Sequence, residues 1–452
     1  MNLRGLCTLS IVGFSLVVVG CGEPAARQSQ GAPPASAVHN VAPFSQPAPS
    51  APADLSENST LADYLSLAAA NNPGLAAAEA KWKAAQERVP QAKALDDPRL
   101  SYRTSIAKGM RQHEVVIEQM FPWFGKLDLR GEVARHEAEA VRQQHQVQAL
   151  KVAYQVKNAY YEYYYLARAI DLARQNRDLI KGLGDIALAR YKAGAGGYQD
   201  VARAQVELGK LDDQVRTLED SRGAAAARLN AAMNRPTGAT VPWPKAAPDG
   251  EAEAPPDDQV LEWIAAANPE LQALDHEIAR ERTSIELAKK DYWPDVGLGV
   301  GYMNNREIME GSDDHMVVGM ISVTLPIWRE KYAAGVREAE FRHDAALKMR
   351  ADRANMLGIE VKLALYQMRD SRRKMSLYRD TLVPKARESL QATEAAFRAG
   401  QANFVDLVDG ERMLLEFQLM YERMLADHAQ RAAELEMLVG KRLPEIGKGD
   451  SK

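Results

Sequence analysis

The sequence is poor in the residues that carry chemistry. Its 452 residues include two cysteines, Cys7 and Cys21, both close to the N-terminus. The rest of the chain therefore has no disulfide and no cysteine ligand for a metal. Eight histidines are scattered with no His-x-x-x-His pair, and no Glu-x-x-His cluster stands out among them. No nucleotide-binding glycine loop, nucleophile triad or pair of carboxylates in a cleft stands out, so no enzyme, cofactor or metal site is expected. Charge of one sign is also lacking. With 57 basic and 61 acidic residues the net charge is -4, which excludes a large basic surface and a nucleic-acid partner. Beyond Cys21 there is no run of 18 apolar residues. Any later membrane crossing must be made by β-strands.

What is present begins with a targeting signal. Arg4 precedes an apolar run, Leu6 to Val19, too short for a transmembrane span. The run ends in "VVVGC", which resembles a bacterial lipobox. The resemblance implies a signal peptide over 1–20 and a diacylglycerol (and palmitate) anchor on Cys21; an ordinary secretory signal cut nearby is the alternative. Gly22, rather than Asp, after the cysteine points to the outer membrane. Residues 21–57 are rich in Pro, Ala and Ser and read as a flexible tether.

The remainder is one unit written twice. Pro73 matches Pro269 and Pro98 matches Pro294 at an offset of 196, Pro122 matches Pro326 at 204, and Tyr191 matches Phe397 at 206. The units span 58–236 and 257–442, with a connector at 237–256 and a tail at 443–452. After each second proline the pattern becomes strand-like. Val296, Leu298, Val300 and Tyr302 alternate with glycines, and Val317, Ile321, Val323 and Leu325 share a face of a partner strand at about 315–325. The first unit has weaker versions at 99–105 and 113–121, with Val115, Ile117 and Phe121 on one face. Trp123, Phe124, Trp328 and Tyr332 at the strand ends are candidates for an aromatic girdle, although such residues also pack at strand-to-helix junctions.

Elsewhere the period is helical. No proline falls between about 127 and 193, and Ala149, Val152, Val156, Ala159, Tyr163, Leu166 and Ile170 form a heptad seam. Leu347, Ala351, Ala354, Gly358, Val361, Leu365 and Met368 form another. Pro384 should interrupt the second long helix. The tyrosines of "AYYEYYYLAR" (159–168) read as packing groups. "RYKAGAGGYQDV" (190–201) and "AFRAGQANFVDL" (396–407) each break a helix with an aromatic, a glycine and an aspartate at the same spacing.

These pieces in this order resemble the TolC-like outer-membrane efflux proteins over about 58–442. The resemblance rests on the duplicated unit, the "EQMFPWFGK" junction and the paired tip phrases. It implies a mainly α fold with a membrane β-barrel: a homotrimer whose protomers each give four strands to a 12-stranded barrel and long hairpins to a periplasmic α-helical tube. It also implies contact with outer-membrane lipid, a periplasmic membrane-fusion adaptor, and an inner-membrane transporter that supplies the energy. By position, Tyr191, Gly194, Phe397 and Gly400 are adaptor-docking residues, and Asp200, Asp406 and Asp409 belong to an aperture gate. The alternatives are helix capping for the glycines and for Asp200. Some relatives carry a basic residue after the second glycine. Gln401 to Phe404 has none, so the closing contacts should differ. The expected function is a passive duct for efflux; type I secretion and, less well fitted, an adaptor lipoprotein or a poreless scaffold are the alternatives. The "FPWFGK" junction resembles the heavy-metal branch. Met303, Met309, His315, Met316 and Met320 are possible soft ligands, with loop and barrel filling the favoured reading.

Overall fold

The computed structural model describes residues 55–107, 110–248, 250, 252–307 and 313–443, all within one compact unit spanning 52–452. Cys21, most of the tether, Met309 and the tail from residue 444 lie outside the described residues. The first half runs α1 (Leu61–Asn71), α2 (Pro73–Lys93), β1 (Arg99–Ala107), β2 (Met110–Phe121), α3 (Lys126–Lys192) and α4 (Tyr198–Ala232). The second runs α5 (Asp257–Ala267), α6 (Pro269–Lys290), β3 (Val296–Glu307), β4 (Asp313–Val323), α7 (Arg329–Leu377), a π-helical turn (Tyr378–Leu382), α8 (Val383–Arg398) and α9 (Phe404–Val439). The asparagine before each matching proline explains why the chain breaks there twice. Asn72 and Asn268 accept the main-chain N–H of Leu75 and Leu271 at 3.0 and 2.9 Å, and the proline follows where no N–H is needed.

The strands form one antiparallel sheet in the order β1-β2-β3-β4, so the β2–β3 pairing joins the halves. One edge each of β1 and β4 is left unpaired among the described residues. Leu100, Ile117 and Val300 stand in one row, and Tyr102, Val115, Tyr302 and Val317 in the next. These residues, with Leu298, Ile321 and Val323, make one exposed apolar face. The other face carries Ser101, Arg103, Glu114, Glu118 and Ser322 beside three glycines of β3. A Cβ on Gly297 would lie 2.1 Å from the Ser322 hydroxyl and 2.7 Å from Glu118 Oε1, the two ends of a 2.5 Å hydrogen bond that passes over β3. Strand β4 stops at Val323, so Leu325 belongs to the elbow beyond it and not to the strand face.

The elbows divide the four expected girdle aromatics. Phe124 and Trp328 are largely exposed. Trp123 instead stacks on Trp293, with ring centres 5.1 Å apart, and Tyr332 packs beside Tyr292 at 5.7 Å. Those two join strand to helix because each has a neighbouring ring from the segment before β3. Beside them Lys126, only 3% exposed, reaches Asp295 Oδ1 at 2.8 Å, and the same oxygen accepts the main-chain N–H of Trp123 at 2.8 Å.

Helix α3 has 67 residues, about 100 Å at 1.5 Å per residue. Its seam is buried from Val152 to Ile170, with Ala149 half-buried. The seam expected on α7 needs correction. Val361, Leu365 and Met368 are buried, but Leu347 and Ala351 are exposed, and Leu357 rather than Gly358 takes the inner position. A strict heptad drifts around a straight helix by about 20° per repeat, so the N-terminal part of the extrapolated stripe turns away from the core. At Pro384 the helix is not broken. The Val383 N–H bonds the Tyr378 carbonyl five residues back, and the proline then falls in the first turn of α8. Tyr160, Tyr163 and Tyr164 are buried as packing groups. The Tyr163 hydroxyl donates to the Val241 carbonyl at 3.0 Å and its ring stacks on Trp243 at 4.4 Å, which fastens the connector across α3.

Candidate functional site

The two glycine phrases form the turns of two hairpins, α3–α4 and α8–α9, whose ends share one apolar core. Ile180, Leu183, Val201, Leu390, Phe397, Phe404 and Leu407 are all part of it. Each turn is built the same way. Gly194 has φ 71° and Gly400 has φ 78°, the left-handed region that a side chain disfavours. The Ala195 N–H donates to the Arg190 carbonyl at 2.9 Å, and the Gly194 N–H to the Tyr191 carbonyl at 3.0 Å. The second tip repeats this, with Gln401 donating to Ala396 at 2.8 Å and Gly400 to Phe397 at 3.0 Å. Both glycines therefore close helices by the same six-to-one and five-to-two bonds.

The aromatics of the two tips are paired alike and exposed differently. Tyr191 and Tyr198 lie 5.7 Å apart, as do Phe397 and Phe404. The tyrosines are 45% and 62% exposed; the phenylalanines are 3% and 1% exposed. Phe397 therefore packs in the tip core, while its counterpart Tyr191 reaches the surface. The physical reason is composition: phenylalanine has no hydroxyl to keep at the water boundary, whereas tyrosine does.

Arg190 went unremarked in the sequence pattern and joins the two tips. It donates to the Phe397 carbonyl, lies 4.7 Å from the centre of the Phe397 ring, and donates to Ala195 O at 3.3 Å. A cation of the other hairpin thus lies beside Gly400, whose own following residues carry none. Its one sequence signal is that Arg190 stands where the second copy has Ala396.

The three aspartates fall in different settings. Asp200 is the third residue of α4 and is half-buried. Asp406 is the third residue of α9 and accepts the Asn403 N–H at 3.4 Å in a capping box. Asp409 is exposed and sits 3.5 Å from Arg412, which also forks onto Glu207 of α4. The Arg412 hydrogen bond holds the Glu207 carboxyl below its ordinary range, against the effect of burial. A groove of about 340 Å³ between α4 and α9 is bordered by Val206, Glu207, Val408, Asp409 and Arg412. Deeper in the tip core Glu411, 2% exposed, accepts from Asn176 of α3 at 3.1 Å. Burial pushes its carboxyl up to about 7, and nearby Glu394 adds to the rise.

Of the soft-ligand residues that are described, Met303, Met316 and Met320 share one face of the sheet and His315 lies on the other. Met303 and Met316 are cross-strand partners on the sheet's polar face, and Met303 sulfur accepts from Gln112 at 2.7 Å. His315 is one residue out of phase and belongs to the apolar face. Among the described residues no three His, Cys, Asp or Glu side chains group as a metal site.

A four-stranded sheet, apolar on one face and polar on the other, carried on paired helical hairpins whose helix α3 alone is about 100 Å long, defines the protomer of a membrane channel. The chain matches the family described as outer membrane efflux protein over residues 64–235 and 260–441 and belongs to that family. It is 22% identical over 398 residues to the cobalt-zinc-cadmium resistance protein CzcC of Cupriavidus metallidurans, covering 84% of this chain and 90% of that one. It is 24% identical over 370 residues to the protein CyaE of Bordetella pertussis, covering 76% of each. Among solved structures, that of CusC superposes with a TM-score of 0.73 at 15% identity, covering 84% of this chain and 92% of CusC.

Proposed function

We propose that this outer membrane efflux protein is the passive exit duct of a tripartite pump. The observation that carries the reading is the sheet. Its outer face is apolar and its other face polar, and β1 and β4 each keep an unpaired edge. Lipid cannot satisfy those edges, so three copies pairing β4 to β1 close a 12-stranded barrel. A second uncovered surface supports assembly: Met349, Met356, Ile359, Leu363 and Tyr366 form an exposed apolar stripe along α7, stepping by 7, 3, 4 and 3. The barrel sits in the outer membrane, tethered through Cys21, and the hairpins extend into the periplasm. A periplasmic adaptor docks at the tips around Tyr191, Gly194 and Gly400 and opens an aperture bounded by Asp200, Asp406 and Asp409. An inner-membrane transporter supplies the energy, and the duct itself does no chemistry.

A heat-resistant trimer in outer-membrane fractions that conducts in planar bilayers is the expected result. Release of the protein by carbonate, or a trimer without conductance, would sink the reading. The name of CzcC makes divalent metal cations the first substrates to test. Sensitivity of a deletion strain to such cations, but not to dyes and detergents, is expected; the reverse pattern would reassign the substrate to drugs.

A further inference from the structure

Toward the hairpin end the apolar face carries a polar row, Thr104, His113, Asn304 and His315, followed by a row of Ile106, Arg111, Arg306 and Asp313. His113 is paired across the strands with Asn304, and Asn304 with His315. His113 stands eight residues from Phe121, and His315 eight residues from Val323 (121 − 113 = 323 − 315). That spacing is about 26 Å along the strand, or about 20 Å along the normal of a membrane crossed at 40°. Each imidazole is held the same way. The Tyr102 hydroxyl shares a hydrogen bond with His113 Nδ1 at 2.7 Å, and the Tyr302 hydroxyl shares one with His315 Nδ1 at 2.6 Å. Both rings also stack on their tyrosines. Each Nε2 is left without a protein partner among the described residues. Between the histidines, Asn304 Oδ1 has no hydrogen-bond partner either. One row farther out is Arg111, exposed and without an ion pair among the described residues. A guanidinium and imidazole N–H groups directly above an apolar band match the height and charge of a lipid phosphate.

We infer that this row is a docking surface for the phosphate groups of the outer-leaflet lipid, with Arg111, His113 and His315 as its donors. The inference rests on the reading of the sheet as a membrane barrel. The duplicated tyrosine–histidine pair fixes the imidazoles before lipid arrives, so little side-chain freedom is lost on binding. Direct base-like roles for the histidines are not needed; they act as hydrogen-bond donors.

The test uses the purified full-length protein in neutral detergent and the midpoint of heat dissociation of its trimer. Diphosphoryl lipid A is expected to raise the midpoint, and phosphatidylcholine at equal lipid content to raise it less. The variant Arg111→Gln/His113→Gln/His315→Gln should lose at least half of the lipid A increment while keeping its trimer and conductance. Arg111→Gln alone should lose a measurable part, and serves if the triple variant does not fold. An unchanged increment in both variants, or the same rise from inorganic phosphate at matched concentration, overturns the proposal. Failure of the wild-type protein to form a conducting trimer would overturn the barrel reading instead.

Discussion

The Arg190 guanidinium, at the end of α3, donates to the main-chain carbonyl of Phe397, at the end of α8, and lies over the Phe397 ring. With Arg412 on Glu207 and Asn176 on Glu411, it is one of the polar contacts that tie one hairpin to the other. A hydrogen bond from a charged donor contributes about 1.5–3 kcal/mol. If that contact exists only in the closed tip, Arg190→Ala shifts the balance toward opening by about tenfold or more. Single-channel recordings should show more frequent openings, and Arg190→Lys should restore part of the closure. Identical open probability in all three proteins would remove Arg190 from the closing contacts.

The aspartates are separable by what each does locally. Asp406→Ala removes a cap, which costs about 1 kcal/mol of helix stability, whereas the exposed Asp409 has only its Arg412 contact to lose. The pair Asp406→Ala/Asp409→Ala is expected to raise closed-state conductance and weaken block by multivalent cations, because a ring of carboxylates concentrates cations. Block unchanged from wild type would assign both residues to structure alone. Asp200→Ala should follow the same direction with a smaller effect, read in the same recordings.

Gly194 and Gly400 distinguish capping from docking. Both have positive φ, so alanine at either costs about 1–2 kcal/mol. A Cβ at Gly194 would meet nothing within 4 Å, and one at Gly400 would meet only Arg190 Nη2 at 3.7 Å. Folding should therefore survive both alanines. Gly400→Trp is expected to abolish efflux with normal trimer yield. Trimer failure instead would make the glycine structural only.

Lys126 and Asp295 join the two halves at the elbow. Lys126→Met leaves the Asp295 carboxylate, itself 27% exposed, without its buried cation, a change that costs less than the roughly 3–5 kcal/mol of a fully buried pair. A clear fall in the trimer's melting midpoint is expected, and Lys126→Met/Asp295→Asn should recover part of it. Equal melting of the single and double variants would show that the two side chains do not couple.

Glu411 makes tip stability depend on pH. Its carboxyl is raised from an ordinary 4.5 to about 7, so the folded state binds the proton more tightly than the unfolded chain. The resulting stability is fully present below about 4.5 and is lost as pH rises through about 7, on the order of 3 kcal/mol in all. The protection of the α8–α9 hairpin against hydrogen exchange, relative to the intrinsic rate at each pH, should fall between those pH values. Glu411→Gln should flatten that profile, and an unchanged profile in the variant would count against the assignment.

Much of the fold was legible because it is periodic and repeated. The 67-residue α3, the strand alternation and the duplicated glycine turns follow from spacing alone. Legibility failed where a position depends on what packs against it. The α7 seam lay off the core on the N-terminal side of Leu357, and Leu325 fell past the end of β4, because neither limit is written in the local pattern. Phe397 resembled Tyr191 in its phrase, yet only Tyr191 reaches the surface.

By itself the sequence determined the repeat, the element types and the positive-φ glycines, since chain stereochemistry and hydrophobic period act residue by residue. Tertiary structure alone decided that Arg190 bridges the tips, that Lys126 meets Asp295 across 169 positions, and that Glu411 is buried with a raised carboxyl. Those properties depend on distances between residues far apart in the chain, and only packing sets such distances.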